Sequence, residues 1–281
     1  MTAFVAVVIV SAANARNDAA ITNSSGLQRV PVSSGSARST AAALNARLAA
    51  ALLPEIGTNP GTLAVGVMDI TTGQMAVYHP TVRFHAGSIV VVDVLAAALL
   101  RRERTQAHVS GQAARLITEM IEKSGSVPAA RLSRLLGGVA DLQAANRVLK
   151  LAHTGVDKAG RLRLTSTTVS DQLQLLVDLT LAGSPLDAAS RAYALGLMEH
   201  VGAHQRWGVL AAAGEGTKYA VTSGWLADPR LAVVDSIGMV HRNGQQLLLV
   251  VLSKDNPTKS AGIARAEAAA IAAADVVTRS Q

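Results

Sequence analysis

The longest apolar segment after the N-terminus runs from Phe84 to Leu100, and its helical part is interrupted only by Asp93. Its residues are apolar on all sides rather than along one stripe, which is typical of a helix enclosed by protein. A single acidic residue in so short a run argues against a membrane span. The pattern therefore predicts a buried helix at the centre of the fold, with Ser88 at its start.

Regular elements are predicted on both sides of this helix. Before it come a helix and two strands, and the turn Thr71-Thr72-Gly73 predicts that these strands form a hairpin. After it, nearly every segment from Ser110 to Leu186 has helical spacing. A helix, three strands and an alanine-rich helix follow. The turns between the three strands are Asp228-Pro229 and Arg242-Asn243-Gly244, the second a strong hairpin signal. The predicted bounds are 41–53 for the first helix, 62–70 and 74–79 for the first strands, 188–201 for the next helix, 218–225, 231–240 and 245–252 for the last strands, and 261–278 for the last helix.

This order predicts an α/β fold of the α+β type. Five strands form an antiparallel sheet flanked by the terminal helices, and an all-helical lobe is inserted between the second and third strands. The predicted domain spans residues 40–281, with an α/β lobe at 40–84 and 187–281 and a helical lobe at 85–186.

The first 39 residues have a different character. The apolar run from Ala3 to Ala13 is followed by Ala13-Asn14-Ala15, the small-x-small pattern of a signal-peptidase site. A tether rich in Ser, Asn and Gly then extends from Asn17 to Ser39. We expect export, as a secreted or cell-envelope-associated bacterial protein, with membrane attachment only through this N-terminal segment if it stays uncleaved.

Composition removes several classes of function. The chain has no cysteine, which excludes disulfides, thiol nucleophiles and cysteine-ligated metals. The seven histidines show no metal-ligand spacing, so neither a metal nor another cofactor is expected. The formal charge of +7 is spread as arginines without interleaved aromatic residues, so nucleic-acid binding is not expected. We expect a monomer.

Ser88 has two interpretations. Its hydroxyl can cap the first turn of the helix. Alternatively, a serine at the N-terminal end of a buried helix can serve as a nucleophile, because the helix amides stabilise developing negative charge. Both remain open at this point.

A family resemblance begins at the tetrad Ser88-Ile89-Val90-Val91. Its position resembles the S-x-x-K motif of the penicillin-recognising serine hydrolases, most closely the class A β-lactamases. The resemblance covers residues 40–278 and implies a β-lactamase/transpeptidase-like fold with a cleft between two lobes. It also implies that Ser88 is the candidate nucleophile and that Val91 occupies the lysine position.

Two further segments carry the resemblance. Ser124-Gly125-Ser126 lies where the family has S-D-N, and Thr222-Ser223-Gly224 lies where it has K-T-G. The resemblance implies a proton-relay role for Ser124 and binding roles for Ser126, Thr222, Ser223 and Gly224. Gly125, Ser126 and Thr222 depart from the motifs. Simpler interpretations are a turn and N-cap at 124–126, and ordinary strand alternation at 222–223.

These departures lead to two functional hypotheses. In the first, the protein is a pseudoenzyme that binds a β-lactam, a peptidoglycan fragment or an envelope protein in the cleft. In the second, it is an atypical serine hydrolase, of β-lactamase or peptidase type, in which His85, Lys218 or Asp157 helps Ser88. Serine attack needs a base, and the segment from Thr154 to Thr168 contains no glutamate.

Overall fold

The computed structural model describes residues 34–56, 62–106, 111–227 and 232–278. The predicted signal segment, most of the predicted tether and the Asp228-Pro229 turn lie outside these residues. The first helix begins at Ser34, six positions before the predicted domain start at Thr40. Within the described ranges, no helix is both long enough and apolar enough to cross a membrane.

A five-stranded antiparallel sheet forms the centre of the α/β lobe, as the sequence predicted. The strand order is β2-β1-β7-β6-β5, so β5 is an edge strand. The strand bounds are β1 Leu63–Asp69, β2 Met75–Tyr78, β5 Tyr219–Ala227, β6 Ala232–Arg242 and β7 Gln245–Asn256, with the short strands β3 Phe84–His85 and β4 Ser166–Thr167 outside this sheet.

The predicted hairpins are both present. Strand β1 pairs with β2 across the 71–73 turn, and β6 pairs with β7 across the turn at Asn243-Gly244. Asn243 and Gly244 both have positive φ, +50° and +77°. Two such residues in a two-residue loop match the right-handed twist of the strands. This explains why the Asn-Gly pair predicted the connection correctly.

Helices cover both faces of the sheet. The helix bounds are α1 Ser34–Ala51, α2 Leu53–Ile56, α3 Val90–Thr105, α4 Gly111–Glu122, α5 Ser126–Leu135, α6 Val139–Val148, α7 Val169–Thr180, α8 Ala188–Glu199 and α9 Lys259–Thr278. Helix α9 packs against β6, β7 and β1. Because Gly262 has no side chain, the helix can lie close to Val234 of β6. On the opposite face, α7 approaches β1 where Gly66 leaves space for Val169 and Leu173.

The central helix is α3, and its residues from Val90 to Leu100 are all buried. The helix was predicted to start at Ser88, and α3 starts two residues later, at Val90. Phe84 and His85 form β3, and Gly87–Ile89 form a 3-10 turn before α3 begins at Val90. Gly87 takes a positive φ of +50°, which a regular right-handed helix does not contain, so α3 cannot extend back through this residue.

The predicted helical lobe is therefore not entirely helical. Strand β3 pairs with β4, which lies in the connection between α6 and α7. This two-stranded ladder holds that connection against the segment leading to Ser88. Strands of two residues carry no periodicity of their own, so hydrophobic spacing could not reveal them.

Candidate functional site

Ser88 lies in the 3-10 turn that leads into α3, and it is half-buried. The capping interpretation of Ser88 is wrong, because the N-cap position of α3 is Ile89 and no side chain caps the helix. The hydroxyl is therefore not committed to an N-cap hydrogen bond. Its position at the start of a buried helix matches the geometry that the resemblance implied.

Strand β5 passes directly beside this turn. A Cβ atom built on Gly224 would lie 2.5 Å from the Cβ of Ser88 and 2.9 Å from its Cα. Real Cβ contacts are not so short, so only glycine permits this approach. Gly224 thus lets the edge strand of the sheet support the serine turn.

A cavity of about 230 Å³ opens beside Ser88. Its lining comes from the start of α3, the junction between α4 and α5, and the connection between α6 and α7. The lining residues are Ser88, Val90, Val91, Ser124, Ser126, Ala129, Ala130, Gly160, Arg161, Leu162 and Arg163. The structure therefore brings three serines and two arginines to one cavity.

Val91, Ser124 and Ser126 are the predicted motif residues that reach this cavity together with Ser88. The side chain of Val91 is only 2% exposed. Ser124 has a positive φ of +51°, an uncommon conformation for a residue other than glycine. Gly125 is the N-cap of α5 and offers no side-chain cap, so the segment 124–126 is a turn but not a capped one.

Thr222 and Ser223 belong to β5 but do not line the cavity. The Thr222 hydroxyl is fully buried and donates to Gln205 Oε1 at 3.1 Å. The Ser223 hydroxyl donates to the Trp207 carbonyl at 2.9 Å and lies 2.8 Å from the Ser236 hydroxyl. Side chains alternate along a strand, so these two residues face opposite sides of the sheet. Both hydroxyls already have partners within the protein.

The connection between α6 and α7 forms one wall of the cavity. Asp157 accepts hydrogen bonds from Arg161 at 2.9 and 3.1 Å. These hydrogen bonds lower the pKa of Asp157 to about 2. A carboxylate with so low a pKa is a poor general base at neutral pH. This pairing argues against Asp157 as a helper of Ser88.

Arg163 bridges from the same connection to the sheet. Its Nη2 donates to the backbone carbonyl of Trp225 on β5, the edge strand. The Nε of Arg163 is buried and has no hydrogen-bond partner among the described residues. None of the ion pairs between the described residues includes this side chain. Arg163 thus brings an uncompensated positive charge to the cavity.

The other candidate helpers lie away from the cavity lining. His85 is exposed on β3, and its Nδ1 lies 3.2 Å from the Leu164 carbonyl. Lys218 is exposed just before β5. From position 218 to Gly224, the neighbour of Ser88, extended chain spans about 20 Å, which exceeds the reach of a lysine side chain.

Two buried acids lie close to the Ser88 turn in the sequence or the sheet. Asp235 pairs with Gly224 in the β5–β6 register, and its Oδ2 has no partner among the described residues. Burial raises the pKa of Asp235 well above its usual value. Burial also raises the pKa of Asp93 in α3, to about 7, although a hydrogen bond from Gln172 opposes this shift. Neither acid lines the cavity.

The model of the β-lactamase enzyme family matches residues 103–277, which is more than half of the chain. The chain belongs to the β-lactamase enzyme family. The matched range begins after Ser88, so the serine turn is placed by the structure and the motif order rather than by this match. A search of curated proteins found no match.

Solved structures show the fold of this family member independently. A β-lactamase from Xanthomonas campestris superimposes with a TM-score of 0.72 at 18% identity, covering 83% of this chain and 98% of the other. A β-lactamase from Burkholderia vietnamiensis gives 0.72 at 20% identity, with 83% and 97% covered. The protein PBP-A gives 0.71 at 17% identity, with 84% and 97% covered. These similarities confirm the predicted fold.

Sequence reasoning missed the two arginines of the family member's cavity. Arg161 and Arg163 belong to no motif, and arginine is common throughout this chain. The available signal was the composition of the 154–168 segment, which has two arginines and no glutamate. The missing glutamate indicated that this wall of the cavity lacks a base. Nothing in the composition indicated that the two arginines line the cavity.

Proposed function

We propose that this family member binds a β-lactam-like or peptidoglycan-derived ligand in the Ser88 cavity without rapid turnover, and that it does so at the cell envelope. One observation carries the proposal: the only ionisable residues among the described lining residues are Arg161 and Arg163. Arginine stays protonated at physiological pH and cannot accept the proton of a serine hydroxyl. The cavity therefore offers hydrogen-bond donors and positive charge, but no general base.

The position of Val91 supports the same conclusion. Acyl transfer through serine needs one group to remove the hydroxyl proton and one to protonate the leaving group. Val91 lines the cavity beside Ser88 and has no group that titrates. Ser124 and Ser126 contribute neutral hydroxyls, which can donate to a ligand carbonyl or carboxylate. These features favour recognition over catalysis.

An atypical serine hydrolase is the second candidate function. It is favoured by the shared cavity of Ser88 and Ser124, which brings a nucleophile and a relay hydroxyl to one place. PBP-A, which shares the fold, has been solved as a penicillin G acyl-enzyme in a variant form. For this chain, acylation would require a base from outside the described lining.

Intact-mass analysis after exposure to penicillin G or a fluorophosphonate separates the two functions. The binding proposal predicts no adduct on the wild-type protein, and saturable penicillin binding that persists in Ser88→Ala. A covalent adduct that is present in the wild type and missing in Ser88→Ala would contradict the proposal and support the hydrolase.

A cavity-filling pair of variants tests the location of binding. Ala130→Trp places a large ring in the cavity, since Ala130 lines it. Val127→Trp adds the same ring to the same helix at an exposed position, 61% accessible. We expect Ala130→Trp to abolish penicillin binding and Val127→Trp to preserve it. Equal binding by both would place the ligand elsewhere.

A further inference from the structure

A second cavity lies on the helical lobe, where the chain leaves α6, and it is separate from the Ser88 cavity. Its volume is about 530 Å³, which lies within the usual range of small-molecule sites. The two cavities share no lining residue. Among the described residues that line the second cavity, the ionisable ones are Arg147 and Lys150, and both are exposed to solvent. This described lining therefore presents two accessible cations and no acid.

Lys150 ends α6 in a backbone conformation that favours glycine. Its φ is +58°, in the left-handed region. Its backbone N–H donates to the Arg147 carbonyl at 3.2 Å, and the N–H of Leu151 donates to the Asn146 carbonyl at 2.8 Å. These two bonds form the Schellman motif, whose left-handed residue is usually glycine because glycine has no Cβ to strain the backbone. A charged side chain kept at a strained position points to a role for that side chain.

Buried hydrogen bonds fix the floor of this cavity. The Asn146 Nδ2 donates to the Thr154 carbonyl at 3.3 Å, and the Thr154 hydroxyl donates to Asp171 Oδ2 at 2.7 Å. Asn146 and Thr154 line the cavity and are 6% and 8% exposed. Because Asp171 belongs to α7, these bonds hold the end of α6 and the chain that follows it against α7. A cavity that is already formed loses little entropy when a ligand binds.

The positive charge at this cavity is only partly compensated. None of the ion pairs between the described residues includes Arg147 or Lys150. Burial raises the pKa of Asp178 in α7 to about 6, while a hydrogen bond from Gln174 and the charge of Lys150 oppose this rise. Asp178 is buried and does not line the cavity, so a ligand meets the two cations first. Cations at a helix C-terminus also stabilise the helix dipole, but that role needs neither a cavity nor a left-handed lysine.

We propose that this second cavity binds an organic phosphate that carries hydroxyl groups, such as a sugar or polyol phosphate. A phosphate monoester has about two negative charges at neutral pH and several acceptor oxygens, which matches two cations, whereas a carboxylate has a single charge. Arginine can donate to two phosphate oxygens at once, and lysine supplies a compact charge. Gln143 also lines the cavity, one helical turn before Arg147, and its amide offers both a donor and an acceptor to a hydroxyl group. The inference does not depend on the function proposed for the Ser88 cavity.

An NMR titration of the isotope-labelled full chain with glycerophosphate at low ionic strength tests this inference. Inorganic phosphate and glycerol are titrated in parallel. Glycerophosphate should shift the amide signals of residues 151–155 in a saturable manner. Inorganic phosphate should shift the same signals with lower affinity, because it leaves the Gln143 side of the cavity empty, and glycerol should not bind because it has no charge. Shifts confined to the Ser88 cavity, or equal affinity for inorganic phosphate, would contradict the proposal.

Two variants assign the site to the two cations. Arg147→Gln and Lys150→Gly should each weaken glycerophosphate binding about tenfold, since a hydrogen bond from a charged donor contributes about that much. Lys150→Gly should also keep a melting temperature at or above that of the wild type, because glycine is unstrained in the left-handed conformation. Arg134→Gln is the matched control, because it removes an exposed cation of α5 that lines neither cavity. It should bind glycerophosphate like the wild type.

The lysine variant separates ligand binding from a structural role. Weaker binding with undiminished stability supports the proposal, because loss of the fold cannot explain it. Wild-type affinity in both Arg147→Gln and Lys150→Gly would overturn the proposal. An equal loss of affinity in Arg134→Gln would also overturn it, because binding would then follow the total charge of the protein rather than this cavity. Should Arg147→Gln not fold, Lys150→Gly still decides.

Discussion

Gly224 and Ser88 are in direct backbone contact, because a Cβ on Gly224 would lie 3.0 Å from the Ser88 nitrogen and 2.5 Å from its Cβ. The edge strand of the sheet and the serine turn therefore fix each other's position. The register adds Asp235 opposite Gly224. Gly87, the first residue of the turn, lies against this acid, since a Cβ there would be 3.7 Å from Asp235 Oδ2.

Gly224→Ala should displace the serine turn. A methyl group at this distance forces the backbone to move, and overpacking of this kind typically costs about 1–3 kcal/mol of unfolding free energy. We expect this loss in urea unfolding, together with weaker penicillin binding. Gly196→Ala is the control, since a Cβ built there has no atom within 4 Å other than those of its chain neighbours and of the backbone of its own helix. If both variants matched the wild type in stability and binding, the contact would not position Ser88.

Val91→Lys alone should not create rapid penicillin hydrolysis. The lysine would enter a site that is 2% exposed, and a buried, poorly paired polar group costs about 1–3 kcal/mol. Residues that act as one catalytic unit are strongly non-additive, so one restored member recovers little. Val91→Met controls for side-chain length without charge. Rapid hydrolysis by Val91→Lys with an unchanged melting temperature would contradict the binding proposal.

Gly125→Asp should destabilise the junction between α4 and α5. A Cβ at this position would lie 2.9 Å from Pro128 Cγ and 3.1 Å from the Glu119 carbonyl oxygen. A proline ring and a backbone carbonyl cannot move aside at low cost, so we expect a loss of about 1–3 kcal/mol.

Combining Gly125→Asp with Pro128→Ala tests this explanation through a double-mutant cycle. The double variant should be more stable than the sum of the single effects predicts, because Pro128→Ala removes two of the crowded atoms. Full additivity in urea unfolding would show that Pro128 does not oppose an aspartate here. The result also decides whether the S-D-N motif can be restored on this backbone by substitution at 125 and 126 alone.

Asp93→Asn should change how stability depends on pH. Burial raises the pKa of Asp93 to about 7 in the folded protein, from an ordinary value of 3.8. Between these values the folded state keeps a proton that the unfolded state has lost. The free energy of unfolding therefore falls as pH rises from about 4 to about 7 and is then constant, with an upper limit of about 4 kcal/mol for this group.

Urea unfolding at pH 5 and pH 8 measures this contribution. Asn carries no ionisable group. Asp93→Asn should therefore have a higher free energy of unfolding than the wild type at pH 8. The difference in its free energy of unfolding between pH 5 and pH 8 should also be smaller than in the wild type. Asp141→Asn is the control, because the Asp141 side chain is 53% exposed. An unchanged difference in Asp93→Asn would mean that Asp93 is ionised in the folded protein throughout this range.

The fold was predictable because its signals are local. The Asn243-Gly244 turn, the alternation in its flanking strands and the alanine-rich terminal helix can each be recognised from a short stretch of sequence. The short strand and the turn that precede α3 were not predictable in this way. Residues 84–89 precede the apolar run of α3 without a break that marks a separate element, but Phe84 and His85 pair with β4, and Gly87 takes a positive φ.

The candidate site was predictable only in part. Motif order placed Ser88, Val91, Ser124 and Ser126 together, and they line one cavity. It did not indicate that the Thr222 and Ser223 hydroxyls are occupied inside the protein, because their partners Gln205 and Trp207 lie in an irregular connection. The contact of Arg163 with Trp225 joins residues 62 positions apart and has no local signature.

The Thr222–Gln205 hydrogen bond affects how the cavity responds to ionic strength. Gln205 Oε1 accepts from Thr222, while its Nε2 donates to the carbonyls of Ile121 and Glu122 at the end of α4. This link between the sheet and the helical lobe contains no charge, so added salt does not screen it, whereas salt weakens the attraction of the cavity's arginines for any anionic ligand. The cavity's dimensions should thus stay constant as salt rises, while its affinity for an anionic ligand should decline. A salt titration of ligand binding consequently separates the contribution of shape from that of charge.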